Sequence, residues 1–379
     1  MSPRDVIAGV ADVVAETRLV DGHCHALFSR PVDAAGFELA STEADVAAPP
    51  GVSYLDGAGG AAIRRWCPPV LGLATGAPIE DYLDRRQQLG IDEVIRRLLR
   101  ASGLSHLLVD TGLSGEDLTG PEELGGLAGA EAREVVRLET VAEHLASEGI
   151  AAADFASAYA EALAHATQDA VAVKTILAYR GGFAGELHRP TPSEVRDAAS
   201  RWLAREPTGR ISEPVLIRFL LWCGVERGLP IQVHTGFGDR DLKLTDSNPA
   251  LLQPFLSAAE PAGVPVILLH CYPYQRQAGW LAQVYPHVYV DVGLTVAQVG
   301  GRANVVLGEF FELAPFGKLL FSTDGYALPE LYLVGAAQFR HSLTALLGDW
   351  LADGAIEPDD AERLAIRVTS TNARRLYQL

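Results

Sequence analysis

Val20-Asp21-Gly22-His23-Cys24-His25 ends a short β-branched run with two histidines one residue apart. Residues i and i+2 of an extended chain project to the same side, so His23 and His25 present two imidazoles on one face. Two such rings suit a divalent cation, with ligand bonds of about 2 Å. Alone, a His-x-His pair fits equally well two solvent-exposed or hydrogen-bonded histidines.

Further along the chain, chemically costly residues recur at the ends of other short apolar runs. Val171-Ala172-Val173-Lys174 ends in a lysine. Ile231-Gln232-Val233-His234 and Val266-Ile267-Leu268-Leu269-His270 each end in histidine, and Leu319-Leu320-Phe321-Ser322 is followed by Thr323 and Asp324. Burying one of these groups costs several kcal/mol unless it is paired or metal-bound. Their joint recurrence at strand ends argues for a shared site more strongly than any single one does.

With Leu108–Asp110, Arg137–Glu139 and Val288–Asp291 added, the chain offers eight strand ends. Longer helical patterns separate them: Ile79 to Ala101, Asp154 to Gln168, Ser212 to Arg227 with a stop at Gly228, and Pro358 to Leu379, a candidate to close the barrel bottom. Alternation of this kind predicts parallel strands with crossover helices. Eight of them predict an α/β fold of the (β/α)₈ TIM barrel kind, whose functional residues lie at the C-terminal ends of the strands. Residues 30–78 break the rhythm. They are rich in Gly, Ala and Pro, including Pro49-Pro50 and Pro68-Pro69, and read as a long insertion after strand 1, a lid or contact segment of a single domain spanning 1–379.

The 379-residue chain carries 31 Lys+Arg against 48 Asp+Glu, a net charge of −17. That balance speaks against nucleic acid and anionic membrane as partners and leaves a small-molecule substrate. No run of 18 apolar residues predicts a membrane span, and the N-terminal stretch reads as a surface helix. The four cysteines, Cys24, Cys67, Cys223 and Cys271, show no paired spacing, which suits a reduced, cytoplasmic setting. A homo-oligomer is compatible with the insertion and is not required by it.

The order HxH, Lys, His, His, Asp on successive strands resembles the amidohydrolase superfamily. Lys174-Thr175-Ile176-Leu177-Ala178-Tyr179-Arg180, Gln232-Val233-His234-Thr235-Gly236-Phe237-Gly238-Asp239 and Phe321-Ser322-Thr323-Asp324-Gly325-Tyr326 resemble the amidohydrolase domain of nodulin-like proteins fused to a glutamine-synthetase-like domain. This chain ends where that second domain would begin. The resemblance implies a metal set of His23, His25, Lys174, His234, His270 and Asp324 holding one or two ions, Zn²⁺ or another divalent metal such as Mn²⁺. Lys174 in that pattern is either carboxylated and bridging or cationic and facing the substrate. Asp324, His270 and Lys174 are the implied catalytic residues, with Asp324 moving the water's proton.

Tyr179, Arg180, Thr235, Asp239 and Tyr272 are the expected substrate contacts, and Arg240 is a further candidate. Arg180 suits a substrate carboxylate or a structural acid such as Asp239 or Glu139. Tyr326 and Glu330 either face the pocket or cap the final helix. Cys24 and Cys271 neighbour ligand candidates and, by strand alternation, point away from the metal. The remaining histidines read as surface or packing residues. The implied activity is hydrolysis of a C–N bond of a small molecule, an amide, with a γ-glutamyl or related amide as the class the resemblance suggests. The alternatives are a mononuclear metal-dependent decarboxylase of the same superfamily and a non-catalytic barrel.

Overall fold

A computed structural model describes residues 3–113, 115, 117–205 and 209–379. The strands are β1 Leu19–Cys24, β2 Leu104–Asp110, β3 Glu131–Arg137, β4 Ala172–Thr175, β5 Ile231–Thr235, β6 Val266–His270, β7 Val288–Asp291 and β8 Leu319–Leu320. They form one sheet in chain order from β1 to β8. Parallel strands in sequential order with intervening helices define the (β/α)₈ barrel, as the sequence predicts. Beyond the ladder proper, β1 meets the chain leaving β8: Gly22 N–H donates to Phe321 O at 3.0 Å, Asp324 N–H to His23 O at 3.0 Å, and His25 N–H to Gly325 O at 2.8 Å. No helix among the described residues is long and apolar enough to cross a membrane.

Contacts divide the chain into two compact units, one of residues 1–109, 113–133 and 291–379, the other of 110–112 and 134–290. In the first unit the segment 30–78 is not the long loop expected. It contains the helices Ala34–Ala40 and Ala58–Val70, and it buries Phe37, Ile63 and Cys67 in a core shared with Tyr82, Leu333 and Val334. Gly and Pro content suggested a loop, yet Pro68 and Pro69 sit in the last turn of their helix. There the chain supplies enough apolar surface to pack against helix Pro329–Asp353, and packing overrides local propensity. The expected helix over 79–101 is two helices, Ile79–Leu89 and Ile91–Ser102, broken at Gly90 with φ 78°, a backbone state that costs glycine little. Val94, Ile95, Leu98 and Leu99 line the buried face of the second, the spacing of an amphipathic helix.

Glu330 neither faces a pocket nor caps its helix. It is fully buried and holds Arg86, whose Nε donates to Oε1 at 2.6 Å, and the Tyr82 hydroxyl, which donates to the same oxygen at 2.7 Å. The sequence did not reveal this pair because 244 residues separate its members. The C-terminal stretch folds as expected in outline, as helices Pro358–Ile366 and Asn372–Tyr377 joined by a π turn. Asn372 Nδ2 donates to Leu319 O at 2.8 Å, tying the last helix to the N-terminal end of β8.

In the second unit, helices Phe155–Ala166 and Pro214–Arg227 match expectation within two residues. Strand β3 stops at Arg137, however, and helix Leu138–Ser147 begins at once, so Glu139 belongs to a helical first turn and not to a strand end. Registers in this unit pair Arg137 with Lys174, and Lys174 with Gln232.

Removing one partner of a buried pair leaves an uncompensated charge. Glu330→Ala is therefore expected to lower unfolding free energy by about 3–5 kcal/mol in urea titrations. A loss within the roughly 0–1 kcal/mol of an exposed pair would show that water reaches Arg86.

Candidate metal centre

In the first unit, His23 and His25 lie on one side of β1, as alternation requires. Their rings are 4.9 Å apart and edge-on. Both aim Nε2 at one oxygen, Asp324 Oδ1, at 3.1 Å for His23 and 3.3 Å for His25. Donors bound to one ion at about 2.0–2.1 Å in tetrahedral geometry stand about 3.3 Å from one another. The observed spacings fit that requirement, so the two imidazoles and the carboxylate are suited to share a divalent cation.

Asp324 reaches the histidines through unusual backbone. Its φ is 51°, a left-handed state uncommon for non-glycine residues and concentrated at functional sites. The residues before it are fixed by buried carboxylates. Thr323 donates to Asp21 through its N–H at 2.8 Å and its hydroxyl at 2.5 Å. Ser322 Oγ donates to Asp291 Oδ1 at 2.5 Å. Burial pushes the Asp21 carboxyl up to about 8, against the pull of the Thr323 hydrogen bonds. Tyr326 stands with its ring 6.0 Å from that of His25, so of the two residues following Asp324 that the sequence singled out, Tyr326 borders the histidines and Glu330 does not.

In the second unit, Lys174, His234 and His270 are all buried. The rings of His234 and His270 are 4.6 Å apart, and Tyr179 lies 4.7 Å from His234. In regular register His234 faces Leu269, so a regular strand would turn His270 to the opposite side. Its φ of 64° rotates the Cβ by about half a turn about N–Cα relative to strand geometry and brings the two rings together. Thr235, an expected substrate contact, uses its hydroxyl on Leu269 O at 2.7 Å. Tyr272 is half-buried with its ring 5.7 Å from Phe237, Asp239 is half-buried, and Arg240 is exposed.

Arg180 pairs with neither of the acids considered for it. Its Nη2 donates to Glu143 Oε1 at 3.3 Å. Glu139 instead accepts from Thr175 Oγ1 at 2.6 Å and Ile176 N at 3.0 Å, fixing the exit of β4. A further buried pair escaped the sequence reading: Arg137 Nη2 donates to Asp110 Oδ2 at 2.7 Å. Both residues end strands that the sequence located, and that position was the available signal. Cys24, on β1, behaves as alternation predicts, its Sγ turning to Leu108 O; Cys271 lies past the end of β6 with φ 63°, and its Sγ turns to Leu268 O.

The sequence model of the amidohydrolase family matches residues 106–379, and the chain belongs to that family. A Lactobacillus casei protein assigned as a metal-dependent hydrolase is similar in structure over 97% of each chain, with a TM-score of 0.86 and 27% identity. The uronate isomerase of Thermotoga maritima shares the fold at a TM-score of 0.66 over 98% of this chain and 97% of its own, with 13% identity. Over 152 residues, 40% of this chain, the sequence is 41% identical to protein fluG of Emericella nidulans, and the match spans 17% of that relative. The chain is thus a barrel of the amidohydrolase family, in a fold shared by a protein assigned as a metal-dependent hydrolase and by isomerases.

Burial raises the Glu139 carboxyl from its ordinary 4.5 to about 7. The folded protein then holds a proton that the unfolded chain releases, so this group's contribution to stability is lost as pH rises from the unfolded value through about 7. At 1.36 kcal/mol per pH unit the cost is on the order of 3 kcal/mol. Glu139→Gln keeps the acceptor for Thr175 and Ile176 and escapes the titration. Its stability relative to the parent is expected to increase by roughly that amount between pH 5 and pH 8 in urea titrations, and a pH-independent difference would place the pKa elsewhere.

Proposed function

We propose that the protein hydrolyses a C–N bond of a small-molecule amide, with His23, His25 and Asp324 holding a divalent ion. The observation that carries this reading is the aim of two histidines on β1 at a single oxygen of Asp324, in a chain of the amidohydrolase family. The two imidazoles suit Zn²⁺, and the carboxylate also admits an oxygen-preferring ion such as Mn²⁺. Lys174, buried at the end of β4, would as a carbamate supply an anionic oxygen donor to a metal, and as a cation would face the substrate.

A bound ion at such a site supplies Lewis acidity, which polarises a carbonyl and brings the pKa of a water to about 7. The chain's own residues perform the rest. Asp324 takes a proton from the attacking water. The water oxygen bonds to the carbonyl carbon, the C–N bond breaks, and Asp324 returns the proton to the departing nitrogen. The products are an acid and an amine, so atoms and charge balance. Asp324 suits this role because its backbone is held by His23 O and by the Thr323 contacts to Asp21, which fix the carboxylate while a proton comes and goes.

Two measurements test the reading. His25→Ala is expected to lower the metal content of purified protein by at least about tenfold by mass spectrometry, since a chelating donor is lost. Asp324→Asn is expected to lower kcat for amide hydrolysis by about a hundred- to ten-thousandfold with the urea midpoint retained. Full activity in that variant rejects Asp324 as the proton carrier. Metal-free protein that added Zn²⁺ or Mn²⁺ leaves inert favours a non-catalytic barrel, and release of CO₂ in place of an amine favours the decarboxylase.

A further inference from the structure

Tyr332 touches both arms of the metal centre from one helix. That helix, Pro329–Asp353, starts where the chain leaving β8 runs beside the chain leaving β1: Ala327 N–H donates to Ala26 O at 2.9 Å, and Phe28 N–H donates to Ala327 O at 3.0 Å. Pro329 takes the first helical position, where the missing N–H would have no helical partner in any case. Each Cα–Cβ bond of a helix tilts toward its N-terminus. Tyr332, at the end of the first turn, is therefore directed back over the residues that precede the helix.

The side chain of Tyr332 is fully buried. Its hydroxyl donates to His25 O. Cys24, between the two histidines, hydrogen-bonds the same hydroxyl through its side chain. The ring lies against Gly325, where a Cβ would stand 2.5 Å from ring carbons Cδ2 and Cε2. Only glycine at that position admits the ring as it is placed.

His25 is a ligand candidate on the chain leaving β1, and Gly325 directly follows Asp324, the ligand candidate after β8. The two are also joined to each other, His25 N–H donating to Gly325 O at 2.8 Å. Both main-chain polar groups of His25 are thus committed, the N–H to the turn after Asp324 and the carbonyl to Tyr332. A phenylalanine would cover Gly325 equally well. The hydroxyl is what a packing role leaves unexplained, because burying one is costly unless it is hydrogen-bonded.

We propose that Tyr332 is a positioning residue of the metal centre. It holds the His25 main chain and the Gly325 turn together, so that the His25 imidazole and the Asp324 carboxylate keep their 3.3 Å spacing. The proposal rests on the reading of His23, His25 and Asp324 as metal ligands and is independent of the reaction catalysed.

The test is competition between the purified protein and a chromophoric chelator for Zn²⁺, read as a dissociation constant. The visible spectrum of the Co²⁺-loaded protein, which follows ligand geometry, is the second readout. Tyr332→Phe keeps the ring and loses the hydroxyl. It is expected to weaken Zn²⁺ binding about 10-fold or more, the usual effect of removing a group that orients a ligand, and to shift the Co²⁺ absorption. Tyr159→Phe is the control. Tyr159, in the second unit, is also fully buried, and its hydroxyl also donates to a main-chain carbonyl, Leu138 O at 3.1 Å. Its loss is expected to lower the urea midpoint about as much as Tyr332→Phe does and to leave Zn²⁺ affinity and the Co²⁺ spectrum unchanged. Gly325→Ala, which presses on the ring from the other side, is expected to weaken Zn²⁺ binding too, and it decides the matter if Tyr332→Phe does not fold. Parental Zn²⁺ affinity and Co²⁺ spectrum in Tyr332→Phe, or an equal change in Tyr159→Phe, overturns the proposal and leaves the ligands standing. A parent whose Zn²⁺ affinity is indifferent to His25→Ala overturns the ligand reading and the proposal with it. Weakened binding confined to the Tyr332 and Gly325 variants, in a protein that hydrolyses no amide, retains the positioning role and removes the reaction.

Discussion

Asp324 meets His23 and His25 because the first strand and the chain leaving the last one share a backbone seam. Gly22, His25 and Asp324 all donate main-chain bonds across it. Without that seam, ligand candidates separated by some three hundred residues would have no reason to share a position. The seam is reinforced from behind. Asp21 receives both donors of Thr323, and Asp291 receives Ser322. These carboxyls are buried at a cost that the hydrogen bonds offset only partly, as the elevated pKa of Asp21 records. The cost is incurred next to the residues whose placement matters most.

In each unit a cluster of buried side chains depends on a departure from regular strand geometry. Asp324 and His270 each have positive φ. In a regular strand His270 would turn its ring away from His234, and the inversion at that one residue brings the two imidazoles to 4.6 Å. Residues held in this region cost of order 1–3 kcal/mol. Neither is glycine, so the conformation is imposed by surrounding contacts and not by chain flexibility.

Buried ion pairs tie helices to one another and strand ends to one another. Arg86 and Glu330 join the helix Ile79–Leu89 to the helix that begins five residues after Asp324. Arg137 and Asp110 close the ends of β3 and β2. The net charge of −17 conveys none of this. Formal charge counts every carboxylate alike, whereas local function depends on which arginines are sealed and by what.

Alternation of short β-branched runs with helical stretches was sufficient to read the barrel and most strand ends from the sequence, because a side-chain period of two or 3.6 residues is a local property. The same period placed His23 beside His25 and turned Cys24 away. It could not indicate that residues 30–78 contain packed helices, that Glu330 would find Arg86, or that Arg180 would meet Glu143. Those outcomes depend on what lies opposite each side chain after the chain has closed. The pairing of His234 with His270 was implied by the family resemblance and not by alternation, since a single backbone angle reversed the facing that a regular strand predicts. The sequence determined which residues end the strands. The tertiary structure alone decided which of them face one another, because burial and electrostatic pairing act between positions the chain order keeps far apart.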